Sequence, residues 1–173
     1  MTENGLTKVA SHTENDSYNK ELVALAVQAK SRAYAPYSEF YVGAALEASS
    51  GKVYTGCNIE NSSYPLSLCA ERCAIAKAVS EGERHFRSIY IATDLEHEFA
   101  GPCGGCRQVL SEFGNFSVFL IKPDLSVRKH TVSELMPHAF TPKHLLMERH
   151  ASPVHDPEFA DIPSIVKHPP HSA

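Results

Sequence analysis

The chain has 173 residues, which suits one domain with a buried core, since domains usually span about 100–200 residues. Its net charge of −4 and isoelectric point near 6.2 argue against a basic surface for a nucleic-acid polymer. No apolar stretch approaches the roughly 18 residues of a membrane helix, and residues 1–16 lack the pattern of a signal peptide. We therefore expect a cytoplasmic protein with no membrane or nucleic-acid partner.

The first predicted elements are a helix and a β-hairpin. Apolar residues recur at three- and four-residue steps from Asn19 to a stop at Pro36, which predicts an amphipathic helix. Its apolar positions are Leu22, Leu25, Ala26, Ala29 and Ala33. Residues 41–47 then alternate in polarity, and a Ser-Ser-Gly turn at 49–51 leads to a second strand at 52–57. The side chains expected together on one face of the first strand are Val42, Ala44 and Leu46.

Two longer helices are expected in the middle of the chain. One covers residues 69–81 and stops at Gly82, and the other opens at Pro102 and stops at Gly114. Between them, the continuous apolar run of residues 88–93 predicts a strand that is buried on both faces.

Shorter elements complete the pattern. Residues 118–121 form an apolar strand, and the charged residues 127–130 predict a strand at an edge of the sheet. Thr131 and Glu134 have the spacing of a capping box, and Thr141-Pro142 opens a further helix. This order of elements predicts an α/β fold with a mixed central sheet between helices.

The ends of the chain differ in composition from its middle. Residues 1–16 are polar and predict a flexible N-terminal arm, whereas residues 151–173 are rich in proline and predict a disordered C-terminal tail. We therefore place the folded domain at residues 17–150.

The cysteines indicate a metal site. There are five of them, and an odd number without a secretion signal argues against a disulfide framework. Cys103 and Cys106 lie three residues apart at the start of a helix, where the helix dipole favours thiolates on one face. Cys69 has the corresponding place in the earlier helix. Three protein ligands plus water is the coordination of catalytic zinc, whereas structural zinc normally has four protein ligands.

Two other uses of these cysteines stay open on spacing alone. Cys73 lies one helical turn after Cys69 and could close a four-cysteine structural zinc site. Cys103 and Cys106 could instead form a redox dithiol, although no thioredoxin-like context accompanies them.

The residues around the cysteines carry a family resemblance. Cys69-Ala70-Glu71, followed by Pro102-Cys103-Gly104-Gly105-Cys106, resembles the zinc-deaminase pattern of ligand-x-Glu and then Pro-Cys-x-x-Cys. Over about residues 19–147 the chain also looks like the small cytidine deaminases that act on free nucleosides. The stretches that carry this likeness are 37–44, 56–61, 64–65, 69–72, 102–109 and 135–140.

This resemblance implies a function. It implies a three-layer α/β/α fold, a homotetramer with composite active sites, and one Zn²⁺ per subunit held by Cys69, Cys103 and Cys106. The implied reaction is the hydrolytic deamination of cytidine and deoxycytidine to uridine and deoxyuridine with release of ammonia, as in pyrimidine salvage. Zinc would lower the pKa of a water molecule, and Glu71 would carry protons between water and the base.

The same resemblance assigns the remaining site residues. Those implied to bind substrate are Phe40, Asn58, Glu60, Ala70 and Phe140. Asn58 and Glu60 would hold the ribose hydroxyls, Phe40 would pack near the base, and Phe140 would reach a neighbouring subunit's pocket. Arg72 would hydrogen-bond the ligand thiolates. Without the resemblance, both phenylalanines could be core residues, Arg72 a solvated charge and Asn58 a turn residue.

Two positions depart from the family pattern. Cys73 stands where many relatives carry a residue without a thiol, and Gly101 replaces a frequent small polar residue, which would remove a side-chain contact to the base. The alternative functions are deamination of another cytosine compound, such as a nucleoside antibiotic or a nucleotide, and a structural-zinc interaction module.

Overall fold

The structure is a computed structural model that describes residues 18–147. The arm expected at residues 1–16 and the tail expected at residues 151–173 lie outside the described residues, so both stay predictions. In chain order the elements are α1 (Lys20–Lys30), β1 (Gly43–Ala48), β2 (Val53–Cys57), a 3₁₀ helix (Tyr64–Leu66), α2 (Ala70–Ser80), β3 (Phe86–Ala92), α3 (Gly104–Glu112), β4 (Ser117–Ile121), β5 (Val127–Thr131), α4 (Val132–Leu135) and α5 (Pro142–Leu145). Residues 18–142 belong to one compact unit, which contains the whole sheet, and residues 143–147 belong to a second.

The strands form one mixed sheet in the order β2-β1-β3-β4-β5. β3 and β4 run parallel, and the other neighbouring pairs are antiparallel. The mixed sheet is confirmed, and so is the placement of the charged strand β5 at an edge. The parallel pair requires a crossover between β3 and β4, and α3 provides it.

Helices cover both faces of the sheet, which confirms three layers. Alternate residues of one strand point to opposite faces, and Ala44 and Ala45 of β1 accordingly belong to different apolar clusters. On one face Ala45 packs in a cluster with Leu22 and Ala26 of α1. On the other face Ala44 packs in a cluster with residues of α2 and α3. The expected grouping of Val42, Ala44 and Leu46 on one face is confirmed, and the opposite face of β1 is buried as well because α1 covers it.

Element boundaries differ from the predictions at two helices. Asn19, where the helical pattern begins, is the N-cap of α1, but α1 ends at Lys30, so Ala33 lies outside it. The chain then forms a long connection to β1, in which Tyr34 pairs with Ile59. α3 begins at Gly104 rather than at Pro102, because Cys103 is its N-cap.

The other local predictions are confirmed. α2 covers Ala70–Ser80 within the expected range, and the Thr131–Glu134 capping box has both of its hydrogen bonds. The tight turn of the β1–β2 hairpin carries Gly51 at a φ of 91°. Within residues 18–147, none of the helices combines the length and the apolar character that a membrane crossing requires.

Candidate metal centre and active site

The three cysteines predicted as ligands lie at the starts of two neighbouring helices. Cys69 is the N-cap of α2, Cys103 is the N-cap of α3, and Cys106 lies in the first turn of α3. The Cys106 amide donates to the Cys103 sulfur at 3.4 Å, so a free N–H group of the helix start orients that ligand. Both helices therefore direct the positive ends of their dipoles toward sulfur, which favours thiolates.

The position of α2 depends on a close approach to β2. A Cβ built on Gly56 would lie 2.5 Å from the Ala70 carbonyl oxygen and 2.5 Å from the Ala74 nitrogen. Only glycine permits this contact, because it has no Cβ. The first turn of α2 therefore packs directly against the strand. The ligand Cys69 is therefore held at a fixed distance from the sheet.

The sulfur atoms have the spacing that a tetrahedral metal requires. All three lie within 4.8 Å of one another, and the Cys69 and Cys103 sulfurs are 3.8 Å apart. A zinc ion with Zn–S bonds of about 2.3 Å holds two tetrahedral sulfur ligands about 3.8 Å apart. Soft thiolates are also ligands that zinc prefers. The geometry and the donor set therefore fit one Zn²⁺.

Cys73 does not join this cluster. Among residues 18–147, the only group of three or more candidate ligands consists of Cys69, Cys103 and Cys106. The Cys73 side chain lies instead against β2. A Cβ built on Gly56 of that strand would lie 3.0 Å from the Cβ of Cys73. This arrangement disfavours the four-cysteine structural site and leaves the fourth coordination position for water.

Charge is distributed unevenly among the three thiols. Hydrogen bonds from Cys106, and then from Arg72 and Cys103, lower the pKa of Cys69 to about 5. The pKa of Cys106 is raised, because Cys106 donates to Cys69 and is buried beside Glu71. The most favourable position for negative charge is therefore the sulfur nearest the arginine.

Glu71 is a buried carboxyl group next to the ligands. Its residue is only 4% exposed, although it lies in the first turn of α2. Burial raises the pKa of Glu71, and negative charge on Cys69 raises it further. A raised pKa makes a carboxyl group a better proton acceptor, which suits a group that carries protons.

Arg72 contacts a ligand, as the resemblance implied. Its Nη2 atom lies 3.7 Å from the Cys69 sulfur and 3.0 Å from the Ser67 carbonyl oxygen. The hydrogen bond to Cys69, and then the negative charge on that sulfur, raise the pKa of Arg72. Three thiolates on Zn²⁺ would carry a net charge of −1, which a guanidinium group at this position would offset.

Arg107 and Gln108 follow Cys106 and connect α3 to the backbone of other segments. The sequence had predicted no role for either residue. Arg107 donates from Nε to the Pro102 carbonyl at 2.8 Å and from Nη1 to the Leu135 carbonyl at 3.0 Å. Gln108 donates to the Phe140 carbonyl at 2.6 Å. Both residues were visible in the matching stretch 102–109, but the partners Leu135 and Phe140 lie about 30 positions away and could not be read from it.

Of the two residues expected to bind the sugar, Glu60 lines a cavity of about 320 Å³, and Asn58 is not among the residues that line it. Glu60 lines this cavity together with Tyr37, Ser38, Tyr64 and Ser67. The Asn58 side chain donates to the Phe40 carbonyl and accepts from the Val42 amide, both at 2.8 Å. Asn58 therefore fixes the backbone on both sides of Tyr41, and Phe40 itself is half-buried.

The last two expected substrate residues differ in environment. Ala70 is fully buried in the first turn of α2, between the ligand Cys69 and Glu71. Phe140 is 57% exposed, so it is not a core residue of this chain. Phe140 is brought to α3 through the hydrogen bond of its carbonyl to Gln108, but no catalytic role follows from that contact alone.

Comparisons with known proteins match this site to one family. The sequence model of the "Cytidine and deoxycytidylate deaminase zinc-binding region" matches residues 16–122. A probable cytidine deaminase of Dictyostelium discoideum is 46% identical over 132 residues, covering 76% of this chain and 90% of its own length. A cytidine deaminase of Sporosarcina psychrophila is 45% identical, covering 73% of this chain and 93% of its own. The crystal structure of a Burkholderia pseudomallei cytidine deaminase matches at a TM-score of 0.68 and 42% identity, covering 72% of this chain and 100% of that chain.

Proposed function

The chain belongs to the cytidine and deoxycytidylate deaminase zinc-binding family, and from this premise we propose that it deaminates the free nucleosides cytidine and deoxycytidine. The observation that carries the proposal is the cluster of three thiols at two helix starts, with the buried carboxyl group of Glu71 beside it. Three ligands and an adjacent proton carrier are what hydrolysis of an amidine C–N bond requires.

Each residue of the centre has a separate task. Cys69, Cys103 and Cys106 would hold one Zn²⁺, which supplies a Lewis acid that lowers the pKa of water toward neutrality. Glu71 takes the first proton from the attacking water and gives it to N3 of the ring, where the product keeps it. After addition at C4, Glu71 moves a proton from the new hydroxyl to the amino group, and ammonia leaves. Arg72 neutralises the excess charge of the thiolates.

The sugar-side residues support a nucleoside rather than a nucleotide. Glu60 offers a carboxylate to a sugar hydroxyl, Asn58 holds the loop that carries Phe40, and Phe40 would pack near the base. The chain carries a net charge of −4, and an acidic group at the sugar opposes a phosphate there. We expect that CMP is not a substrate.

An assay of four compounds tests this function. The purified protein, with its zinc content measured, is given cytidine, deoxycytidine, CMP and adenosine while ultraviolet absorbance and ammonia are followed. We expect turnover of the first two alone. A zinc-loaded protein that turns over none of them would contradict cytidine deamination, and comparable turnover of CMP would contradict the proposed substrate class.

We further propose a homotetramer with composite active sites. An open groove of about 530 Å³ lies between α2 and α3. Its lining is mainly apolar and consists of Leu68, Arg72, Ile75, Ala76, Val79, Gln108, Val109, Glu112 and Phe113. The exposed ring of Phe140 would then enter a neighbouring subunit's pocket, as the family resemblance implied. An apolar groove and an exposed phenylalanine ring are both features of surfaces that bind partners.

A charge in the groove tests the assembly. Ala76→Arg should lower the mass measured by sedimentation, whereas Ser80→Arg, at a position on the same helix outside the groove, should not. Subunits with Phe140→Ala should regain activity when mixed with inactive Glu71→Gln subunits, because the latter still supply Phe140. A fully active wild-type monomer would contradict both proposals.

The cellular setting completes the proposal. A thiolate zinc site and five free cysteines suit a reducing compartment, which supports the cytoplasm. Hydrolysis of cytidine to uridine there would serve pyrimidine salvage. Fluorescence of the tagged chain in its own cells would test the location.

A further inference from the structure

The Glu60 carboxylate is already hydrogen-bonded by a distant loop. Its Oε2 atom accepts the Tyr37 amide at 2.9 Å and the Ser38 amide at 3.2 Å. Its Oε1 atom accepts the hydroxyl of Ser38. These partners lie 22 and 23 positions before Glu60, so the contact joins two separate loops beside the cavity of about 320 Å³.

The contacts leave a limited capacity for ligand. An ionised carboxylate has about four acceptor positions, two on each oxygen. Counting donors from residues 18–147, both positions on Oε2 and one on Oε1 are occupied, so one position on Oε1 remains. A group with a single free acceptor position can receive one sugar hydroxyl but not two neighbouring ones.

Ser38 connects this carboxylate to the rest of the sugar side. Its hydroxyl oxygen also accepts the Phe40 amide at 3.1 Å, and the Phe40 carbonyl is bonded by Asn58. Without the Ser38 hydroxyl, Oε1 would lose the one donor that the described part of the chain gives it, and the carboxylate could turn about the two amides on Oε2.

We propose that Ser38 is a positioning residue for sugar recognition, which orients Glu60 so that its one free acceptor position receives the 3′-hydroxyl of the substrate. The inference rests on the proposed function, because deoxycytidine keeps the 3′-hydroxyl and lacks the 2′-hydroxyl. The hydrogen bonds from the Ser38 side chain and the Tyr37 amide also lower the pKa of Glu60, so the carboxylate stays an acceptor.

Kinetics with nucleosides that lack single hydroxyl groups test this role. The variants are Ser38→Ala, Ser38→Thr and Ser38→Cys, and the substrates are cytidine, 2′-deoxycytidine and 3′-deoxycytidine. For Ser38→Ala we expect KM to rise about tenfold for the two substrates with a 3′-hydroxyl, because a bond to a charged group is weakened. KM for 3′-deoxycytidine and kcat for all three should stay within about twofold of wild type.

The other variants and a control separate positioning from stability. Ser38→Thr keeps a hydroxyl and should restore KM, and Ser38→Cys, a weaker donor, should give an intermediate rise. Ser50→Ala removes a serine–glutamate hydrogen bond of 2.7 Å to Glu83, away from the cavity, and should leave all kinetics unchanged. Thermal unfolding of each variant shows whether it folds, and Ser38 is exposed, so its truncation leaves the core intact.

The outcomes are distinguishable. A KM that rises equally for all three nucleosides, or a loss confined to kcat, would overturn the role of Ser38 and leave the proposed function standing. A zinc-loaded wild-type protein that deaminates none of the three would overturn the proposed function, and this inference with it.

Discussion

The metal side and the sugar side of the site are built in different ways. On the metal side, ligands and Glu71 lie on the first turns of α2 and α3, which pack on the sheet through buried residues. On the sugar side, Glu60, Asn58 and Phe40 lie on loops that are joined by hydrogen bonds, some from side chains to backbone and others between backbone groups. Only the metal side is fixed by the packing of helices against the sheet.

This contrast predicts how each side responds to substitution. A packed helix start holds its side chains in place even when one of them is changed, so defects on the metal side should appear in kcat or in zinc content. A loop held by hydrogen bonds rather than by packed elements shifts more readily when one bond is lost, so defects on the sugar side should appear in KM.

The largest effect is expected from a lost ligand. Cys103→Ala should abolish zinc binding and activity and lower the melting temperature, because two thiols do not hold the metal. Cys73→Ala is the matched control, since Cys73 lies outside the sulfur cluster and should leave zinc and most activity. Zinc content and thermal unfolding check both variants. Loss of metal in Cys73→Ala would show that the site has four protein ligands.

The next effect separates chemistry from metal binding. Glu71→Gln keeps the size of the side chain but cannot accept and return a proton. A general acid–base group contributes about 10²–10⁴-fold, and Glu71 acts at more than one step, so kcat should fall by the upper part of that range or more. Zinc content should stay at one per subunit. A zinc-loaded variant with near-normal turnover would refute the mechanism.

Arg72→Ala should have an intermediate effect. Loss of the cation that contacts Cys69 leaves the excess negative charge of the thiolates uncompensated. Partners of this kind contribute about 10–100-fold to metal affinity or activity. Zinc affinity by competition with a chelator, measured beside kcat, shows which of the two falls. If neither changed by more than about twofold, the charge of Arg72 would have no part in the centre.

The smallest effect is expected on the sugar side. Glu60→Gln replaces one of the two carboxylate oxygens by an NH₂ group. Tyr37 and Ser38 both donate to the carboxylate, so the new donor would face another donor. KM for cytidine should rise about tenfold with little change in kcat, because one charged hydrogen bond is weakened. Steady-state kinetics up to saturating substrate check the split. A fall in kcat with unchanged KM would remove the distinction between the two sides.

The sequence predicted features that depend on close neighbours in the chain. The Thr131–Glu134 capping box needs only three residues of spacing, and the pairing of Cys103 with Cys106 needs only one helical turn. Both follow from the geometry of a helix start. The importance of Cys69-Ala70-Glu71 came instead from its resemblance to the zinc-deaminase pattern, which also depends on neighbouring residues, so the metal side could be located before the structure.

Features that depend on contacts between residues far apart in the chain were not predicted. The role of Arg107 requires the carbonyl of Leu135, 28 positions away, and the contact of Ser38 with Glu60 joins loops 22 positions apart. The burial of both faces of β1 depends on where α1 packs, which the alternation of β1 alone does not encode. Tertiary packing decided these points.

The contact at Gly56 limits how this protein can change over evolutionary time. Every other amino acid carries a Cβ, so any replacement there forces α2 from β2 and moves Cys69 with it. By contrast, a Cβ added at Gly104 or Gly105 would meet nothing within 4 Å, although both glycines lie inside the metal-binding motif. Larger residues are therefore sterically permitted at Gly104 and Gly105, between two ligands. They are excluded at Gly56, which binds no metal.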